Sequence, residues 1–346
     1  MKKYYLESGY VNMRAVLGIG VPFIFVIGGR AVGKTYGALS VCLEDRRKFA
    51  FMRRTQRQLD IINKPEFSPL KPIMRDTGKL YTTKALASGL AAFVPCEKDE
   101  DGDEVISGPP VGITLALSTV SNLRGFDASD IDVLIYDEFI PEKSERPLKN
   151  EADALFNCYE TLNRNRELAG KPAMQMLCLA NANDQASPVL LRLGLVRRLD
   201  KMAATGQELF VDRKRGLALL LLSDCEISAA KGDTALYRLT SGTDYADMAL
   251  SNRFAYEDRG SICSRPLAEY RPVCAVGDIV VYKHKADRSY YITTHKTGSP
   301  PTFGDGDTEL ARWRRCYGWL WREYMDNNID FEDYACQIVF SKYIDS

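Results

Sequence analysis

The sequence lacks the features that define several large classes of protein. It has only 2 histidines, and its 9 cysteines are scattered singly with no Cys-x-x-Cys pair, so a zinc site is not expected. No apolar run approaches the ~18 residues of a membrane-spanning helix, and the N-terminus has no signal-peptide pattern. The 46 basic and 46 acidic residues cancel, so a surface for nucleic acid would have to be local. We expect a cytoplasmic chain with free thiols and no membrane contact.

The 346 residues can bury one large core and a smaller one, which favours two domains. Over residues 1–226, apolar strand-like runs alternate with helical stretches, a pattern typical of an α/β fold with a parallel sheet. Residues 79–107 predict an antiparallel excursion with a solvated acidic tip. The predicted strands of the parallel sheet are 23–27, 49–52, 113–117, 133–136, 174–179 and 218–222.

The rest of the chain has a different pattern. Residues 227–255 lose the alternation and predict a linker element, whereas 256–346 predict a smaller α+β domain that begins with a β meander. One amphipathic helix is predicted through Leu310 and Tyr324, and a further helix over 331–340. Aromatic and arginine side chains share the first of these helices, so its aromatic stripe belongs either to the core or to a nucleic-acid stacking surface.

A glycine-rich segment directly after the first predicted strand carries the most specific chemistry. It matches the pattern Gly-x4-Gly-Lys-Thr, in which backbone N–H groups surround phosphate oxygens. Lys34 would place a positive charge on the β and γ phosphates, and the Thr35 hydroxyl would be a ligand of Mg²⁺. The sequence therefore predicts ATP and Mg²⁺ as cofactors. The residues predicted to bind the nucleotide are Gly28, Gly29, Arg30, Ala31, Val32, Gly33, Lys34 and Thr35.

Two carboxylates follow a second apolar run, 131–136, which predicts a buried parallel strand. Asp137 at the end of this strand would hold magnesium, and Glu138 would orient and deprotonate an attacking water. A kinase has no need of that glutamate, so the pair favours a hydrolase of the P-loop NTPase fold (ASCE type), with helices on both faces of the sheet. A scaffold that binds ATP without hydrolysing it is disfavoured for the same reason. The remaining alternative is an acidic turn after a core strand.

Polar side chains at other strand and helix ends complete the predicted site. Asn181 follows the fifth predicted strand, where it would sense the γ-phosphate or serve as a plain turn residue. Arg164 lies near the end of a predicted helix over 151–166, and Arg124 precedes the acidic strand, so either could reach the nucleotide of a neighbouring subunit. Arg30, inside the loop, could act in cis. A surface salt bridge is the alternative for each arginine.

These segments together resemble those of the DNA-packaging ATPases of phi29-like tailed phages, distant relatives of the terminase large subunit. The resemblance follows chain order and rests on residues 25–35, 136–140, 163–167, 178–182 and 242–254. It implies a homopentameric ring on the portal of an empty prohead that drives double-stranded DNA inward, with a packaging RNA as a further candidate partner. It also implies a location in the host cytoplasm and transiently on the prohead, and absence from the mature virion.

The resemblance assigns roles to individual residues as well. Arg164 matches the arginine that acts in trans, and Arg124 lies where the family has a basic residue able to face the adjacent subunit. Arg53 or Arg54, at the end of the second predicted strand, could face phosphate or belong to a solvated basic loop. The basic groups around Arg53 to Arg57 and, secondarily, over 213–215 are the candidates for contact with DNA phosphates.

The C-terminal domain, by the same resemblance, is related to RNase H-like nucleases. Such nucleases hold two metal ions with carboxylates on strand ends. The predicted first strand, 271–276, contains no acid, and the nearest one is Asp278. We therefore expect a vestigial domain without cleavage activity, and the alternative is a terminase large subunit with an active nuclease.

Overall fold

The computed structural model divides the chain into two compact units. The first comprises Met1–Leu193 and Lys201–Ala255, and the second comprises Gly194–Asp200 and Tyr256–Ser346. Each unit has its own sheet and its own hydrophobic core. The residues that the structure describes are 3–87, 89–123, 128–141, 145, 148, 150–182, 187–222, 226–243 and 260–345.

A 10-stranded mixed sheet forms the centre of the first unit. Its strands are β1 (Phe23–Gly28), β2 (Phe49–Arg53), β3 (Leu80–Ala87), β4 (Leu90–Lys98), β5 (Glu104–Ile106), β6 (Gly112–Ala116), β7 (Val133–Asp137), β8 (Gln175–Asn181), β9 (Leu209–Asp212) and β10 (Leu217–Leu222). Their order is β3-β4-β6-β2-β7-β8-β1-β10-β9, with β5 paired to β4. Six neighbouring strands, β6-β2-β7-β8-β1-β10, run parallel to one another. The antiparallel strands β4 and β9 flank them on the two sides. These six are the strands predicted from the sequence, so the parallel α/β sheet is confirmed.

Helices pack on both faces of this sheet because strand residues alternate between the faces. Ile24 and Val26 point into a core that includes Leu39 of the helix after β1. Phe23 points to the other face, where its ring centroid lies 4.9 Å from that of Tyr159. The helices before residue 240 are α1 (Met13–Leu17), α2 (Lys34–Glu44), α3 (Gln56–Ile62), α4 (Lys71–Thr77), α5 (Glu151–Asn163), α6 (Pro188–Arg192), α7 (Val196–Thr205), α8 (Glu226–Lys231) and α9 (Ala235–Leu239), with 3₁₀ turns at Pro65–Phe67 and Leu117–Leu123.

The second unit has a five-stranded sheet in the order β14-β11-β12-β13-β15. Its strands are β11 (Tyr270–Val276), β12 (Ile279–His284), β13 (Tyr290–Thr293), β14 (Thr302–Phe303) and β15 (Ile329–Phe331). The first three form the predicted antiparallel meander, and β14 and β15 join its edges in parallel. The helices of this unit are α10 (Asp307–Tyr317), α11 (Leu320–Met325) and α12 (Tyr334–Asp345), with a 3₁₀ turn at Leu267–Glu269.

The amphipathic helix predicted through Leu310 and Tyr324 is in fact two helices. The first ends before Gly318, whose N–H closes the last turn on the Arg314 carbonyl. Glycine is a poor helix former, and a Cβ atom at Gly318 would lie 2.6 Å from that carbonyl oxygen. The stripe itself lies in the core, since Trp313 is fully buried there. Of the two interpretations of the aromatic stripe, the one that assigns it to the hydrophobic core is therefore correct.

Two other helix boundaries differ from the predictions. The helix predicted over 331–340 begins only at Tyr334, because Phe331 pairs with Ile292 as the last residue of β15. The helix predicted over 151–166 ends at Asn163, because Arg164 has a positive φ of 45° and cannot continue it. Among the described residues, no helix has both the length and the apolar character needed to cross a bilayer.

A buried ion pair fixes the ends of three elements around the sheet. Arg54, which follows β2 and is 1% exposed, donates two hydrogen bonds of 3.0 Å to the carboxylate of Glu151 at the start of α5. Its third nitrogen donates to Glu145 at 2.9 Å. The Tyr136 hydroxyl of β7 also donates to Glu151, at 2.9 Å. Burial and the Glu151 carboxylate raise the pKa of Tyr136, so the hydroxyl keeps its proton. Arg54 is thus structural, and it is not available to phosphate or DNA.

We predict that Arg54→Met lowers the free energy of unfolding by about 3–5 kcal/mol, because it leaves the Glu151 carboxylate buried without its cation. The double change Arg54→Met with Glu151→Met should cost less than the single change, since it removes both buried charges. Urea denaturation followed by circular dichroism measures both.

The matched control is Arg75→Met, because the Arg75 side chain is 78% exposed and forms an ion pair with its neighbour Asp76. That change should stay within ~0.5 kcal/mol of the parent. Equal losses from Arg54→Met and Arg75→Met would contradict the structural role of the buried pair.

Candidate active site at the carboxyl edge of the first sheet

The glycine-rich loop joins the last residue of β1 to the first residue of α2. A Cβ atom on Gly28 would lie 2.7 Å from the Cβ of Leu222, so close packing against β10 requires glycine here. Ala31 and Gly33 have positive φ values of 56° and 87°, which curl the backbone ahead of the helix. Of these two, only Gly33 adopts its conformation without strain. The loop therefore turns its backbone toward the helix N-terminus, the position that favours bound anions.

Lys34 is the first residue of α2, and its side chain is buried inside the loop. Its ammonium group donates to the carbonyl oxygens of Gly28 and Gly29 at 3.2 and 2.6 Å, and to the side-chain oxygen of Asn181 at 3.1 Å. Neutral acceptors hold an ammonium group less strongly than anionic oxygens do. The oxygens of Gly28, Gly29 and Asn181 therefore position the Lys34 ammonium group inside the loop.

The two carboxylates lie two strands away, at the end of β7. The Thr35 hydroxyl donates to the Asp137 carboxylate at 3.0 Å, although the two residues are 102 positions apart in the chain. Asp137 is 6% exposed, whereas the side chain of Glu138 is about half exposed. Glu138 has a positive φ of 56°, which turns the chain sharply as it leaves the sheet. The structure thus places the predicted lysine, threonine, asparagine and acid pair at one edge.

Arg53 contacts both acids, a role that was not predicted. Its Nη1 donates to Asp137 at 2.9 Å, and its Nη2 donates to the carboxylate of Glu138. The geometry follows from strand pairing, because Met52 is opposite Tyr136 and the next residues on the two strands are Arg53 and Asp137. The sequence suggested phosphate or a solvated loop for this arginine. The sequence does not reveal this contact, because the contact depends on β2 lying beside β7 in the folded sheet.

The other predicted arginines lie in different surroundings. Arg30 is exposed in the loop, and its backbone carbonyl accepts a hydrogen bond from Lys231. Arg166 is held locally, with its guanidinium donating to Ile131 and to Asp132. Arg164 is exposed just beyond the end of α5. Arg124 lies outside the described residues.

The candidates for DNA contact differ in exposure and in position. Within the basic stretch from Arg53 to Arg57, Arg53 is bonded to the acids and Arg54 is buried, so only Arg57 is exposed. Residues 213–215 are exposed but precede β10, whose first residue lies opposite Phe23 at the start of β1. They are therefore at the other edge of the sheet from the glycine-rich loop.

Comparisons with known proteins agree with this fold. A sequence model of the family described as podovirus DNA encapsidation protein (Gp16) matches residues 103–274. The DNA packaging proteins of Bacillus phages PZA and phi29 are each 26% identical to the chain over 254 residues, which is 72% of this chain and 67% of theirs. A chain of the solved bacteriophage Phi-29 viral genome packaging motor assembly has a TM-score of 0.65 at 19% identity, covering 96% of this chain and 98% of its own length.

The class defined by these matches is that of the phage DNA packaging proteins. Residues 103–274 of the chain match the podovirus DNA encapsidation (Gp16) family, and the resemblance inferred from its motifs is confirmed.

We predict that Arg53→Met raises the affinity of the nucleotide-free protein for Mn²⁺ about fivefold, because a cation beside two carboxylates opposes a second cation by ~1 kcal/mol. Electron paramagnetic resonance of free Mn²⁺ in a titration measures this affinity. Arg57→Met is the control, since it removes an exposed cation from the same stretch. Identical affinities in the two variants would mean that the guanidinium of Arg53 has no effect on the acids.

Proposed function

We propose that this chain is a Mg²⁺-dependent ATPase that translocates double-stranded phage DNA into a prohead as part of a homo-oligomeric ring. The observation that carries the proposal is the placement of Lys34, Thr35 and Asp137 at one edge of the sheet, with Thr35 and Asp137 in direct contact. The similarity of the chain to DNA encapsidation and DNA packaging proteins identifies DNA as the polymer that the ATPase would move.

The strand order supports an ASCE-type P-loop NTPase for the first unit. In that type, one additional strand separates the strand of the phosphate loop from the strand of the acid pair. Here β8 lies between β1 and β7 and carries Asn181 at its end. Gly28 is opposite Asn181, and Leu179 is opposite Asp137, so the three strand ends are in register. This register supports a γ-phosphate-sensing role for Asn181.

The donor set at the strand ends fits magnesium. A threonine hydroxyl and a carboxylate are hard oxygen ligands of the kind Mg²⁺ prefers, and Thr35 and Asp137 present theirs within 3.0 Å of each other. When bound there, Mg²⁺ would supply positive charge to the β and γ phosphates. The backbone N–H groups of residues 29–33 and the Lys34 ammonium group would hold the phosphate oxygens themselves.

Glu138 would take a proton from the attacking water as the water oxygen bonds to the γ-phosphorus. The bond between that phosphorus and the β–γ bridging oxygen would break, and ADP would leave. In the resting arrangement the Arg53 guanidinium donates to one of the two oxygens of the Glu138 carboxylate, and movement of Arg53 would leave that oxygen to the water. Lys34 likewise exchanges loop carbonyls for phosphate oxygens. Binding of substrate thus replaces contacts that the protein makes with itself, which couples occupancy of the site to movement of Arg53.

Arg164 is the candidate for action on a neighbouring subunit. It is exposed, and it lies just beyond the last residue of α5. An arginine supplied in trans is worth about 10³- to 10⁵-fold in the rate of phosphoryl transfer. Arg30 remains the candidate for a cis role, and Arg124 a second one for the subunit interface.

The second unit supports a nuclease-like but inactive domain. Its meander of β11, β12 and β13 with β14 parallel to β11 is the kind of mixed sheet that RNase H-like domains have. Neither β11 nor β13 contains an acid, and Asp278 lies in the turn after β11. The acid pair Glu332 and Asp333 is bonded to Arg197. A terminase with an active nuclease is therefore not favoured, and contact with DNA, the portal or a packaging RNA is the proposed use.

The location that follows from this function is the host cytoplasm, with transient attachment to the prohead and absence from the mature virion. The ring would be a pentamer, as the family resemblance implies.

We predict that Lys34→Ala abolishes ATP binding and hydrolysis, whereas Glu138→Gln retains ATP affinity and loses at least ~10²-fold in kcat, because only the proton acceptor is removed. Equilibrium ATP binding and steady-state phosphate release, each with and without DNA, distinguish the two. Glu100→Gln, at the exposed acidic hairpin tip, is the neutral control. Parental hydrolysis by Lys34→Ala would refute the ATPase site.

A second prediction tests the trans role of Arg164 by complementation. Arg164→Ala and Lys34→Ala subunits should each be inactive alone, yet a 1:1 mixture should recover roughly a quarter of parental activity. The recovery arises because Lys34→Ala subunits donate an intact arginine to Arg164→Ala neighbours. The control partner is the double variant with both changes, which offers no arginine. A mixture that stays as inactive as this control would exclude action in trans.

A further inference from the structure

The N-terminal segment before α1 folds into a tight turn against the glycine-rich loop. Tyr5 and Val11 form an antiparallel β-bridge, and the N–H of Leu6 donates to the carbonyl of Tyr10 at 2.8 Å. The N–H of Val11 then donates to the carbonyl of Val32 inside the loop at 3.0 Å. Val11 is buried, so the turn is anchored both by backbone hydrogen bonds and by the core.

This turn places an aromatic ring directly against the loop. A Cβ atom on Gly33 would lie 3.1 Å from a ring carbon of Tyr10, so the absence of a side chain at Gly33 makes room for the ring. Tyr10 nevertheless remains 44% exposed. Tyr10 is not among the residues of the hydrophobic core of this unit, and part of its ring is exposed beside the loop.

A second exposed aromatic residue lies on the same side of α2. Tyr36 is three positions after Gly33, and residues three apart share a helix face. Its side chain is 39% exposed, and its hydroxyl donates to Asp76 of α4 at 2.9 Å. Since the ring is held by that hydrogen bond, Tyr36 also presents a fixed apolar surface beside the loop.

The direction in which a bound polyphosphate would lie places the nucleoside near these two rings. Lys34 contacts Asn181 and Thr35 contacts Asp137, so the γ-phosphate end faces the ends of β7 and β8. The α-phosphate, and the nucleoside beyond it, then extend away from those strand ends along the first turn of α2. The N-terminal turn contacts the loop at Val32 and Gly33, and Tyr36 lies on the first turn of the same helix.

We propose that Tyr10 forms the nucleoside subsite of the ATPase, with the adenine base packed against its ring and with Tyr36 bordering the same subsite. The assignment rests on the proposed ATPase function and extends it to the base. Stacking of a base on an aromatic side chain contributes about 5- to 150-fold in affinity and needs the ring alone, so phenylalanine should replace tyrosine at this position.

The test compares binding of ATP with binding of inorganic tripolyphosphate, which has the three phosphates and no nucleoside. Isothermal titration calorimetry on the full chain should give Tyr10→Ala an ATP Kd raised about 10-fold or more, with the tripolyphosphate Kd unchanged. Tyr10→Phe should match the parent. In hydrolysis assays the KM of Tyr10→Ala should rise by the same factor, with kcat within about twofold.

The matched control is Leu6→Ala, which truncates a half-exposed apolar residue on the same turn. An ATP Kd in Tyr10→Ala equal to that of Leu6→Ala would overturn the assignment. Equal weakening of ATP and tripolyphosphate would also overturn it, because the ring would then support the loop rather than the base. Failure of the proposed function looks different: Lys34→Ala would bind ATP and tripolyphosphate as tightly as the parent.

Discussion

Parallel hydrogen bonding between neighbouring strands is the constraint on which the candidate site depends. In the order β2-β7-β8-β1, all four strands run in the same direction and end at the same edge of the sheet. Arg53, Asp137, Asn181 and Gly28 therefore meet there, although they come from distant parts of the sequence. The side chains that these ends contribute are chemically unrelated, and only strand register makes them one site.

The charges at this edge are balanced within the protein. The cations of Lys34 and Arg53 and the carboxylate of Asp137 are mostly removed from water, whereas Glu138 is about half exposed. Charged groups removed from water are stable only with partners. Each of the four has a hydrogen-bond partner from the site or its loop. Any ligand must therefore exchange existing contacts for new ones, and the energetic cost of that exchange is what allows occupancy to change conformation.

Local chemistry was predictable from the sequence, and tertiary adjacency was not. The six parallel strands and the glycine-rich loop were predicted because apolar runs, glycines and terminal acids have local signatures. The bond from Arg53 to the acids depends on which strand lies beside β7, and the burial of Arg54 depends on a carboxylate 97 positions away. The break at Gly318 was missed because the aromatic spacing continues across it.

The helix α5 connects the site to the outer surface of the subunit. Its first residue, Glu151, is bonded to Arg54, which directly follows Arg53 in the chain. Its last residue precedes Arg164, so 13 residues, or about 20 Å of helix, separate the two ends. We propose this helix as the path by which displacement of Arg53 would affect Arg164. Its evidence would be a coupling energy between substitutions at the two residues, because a connected set of contacts does not by itself establish coupling.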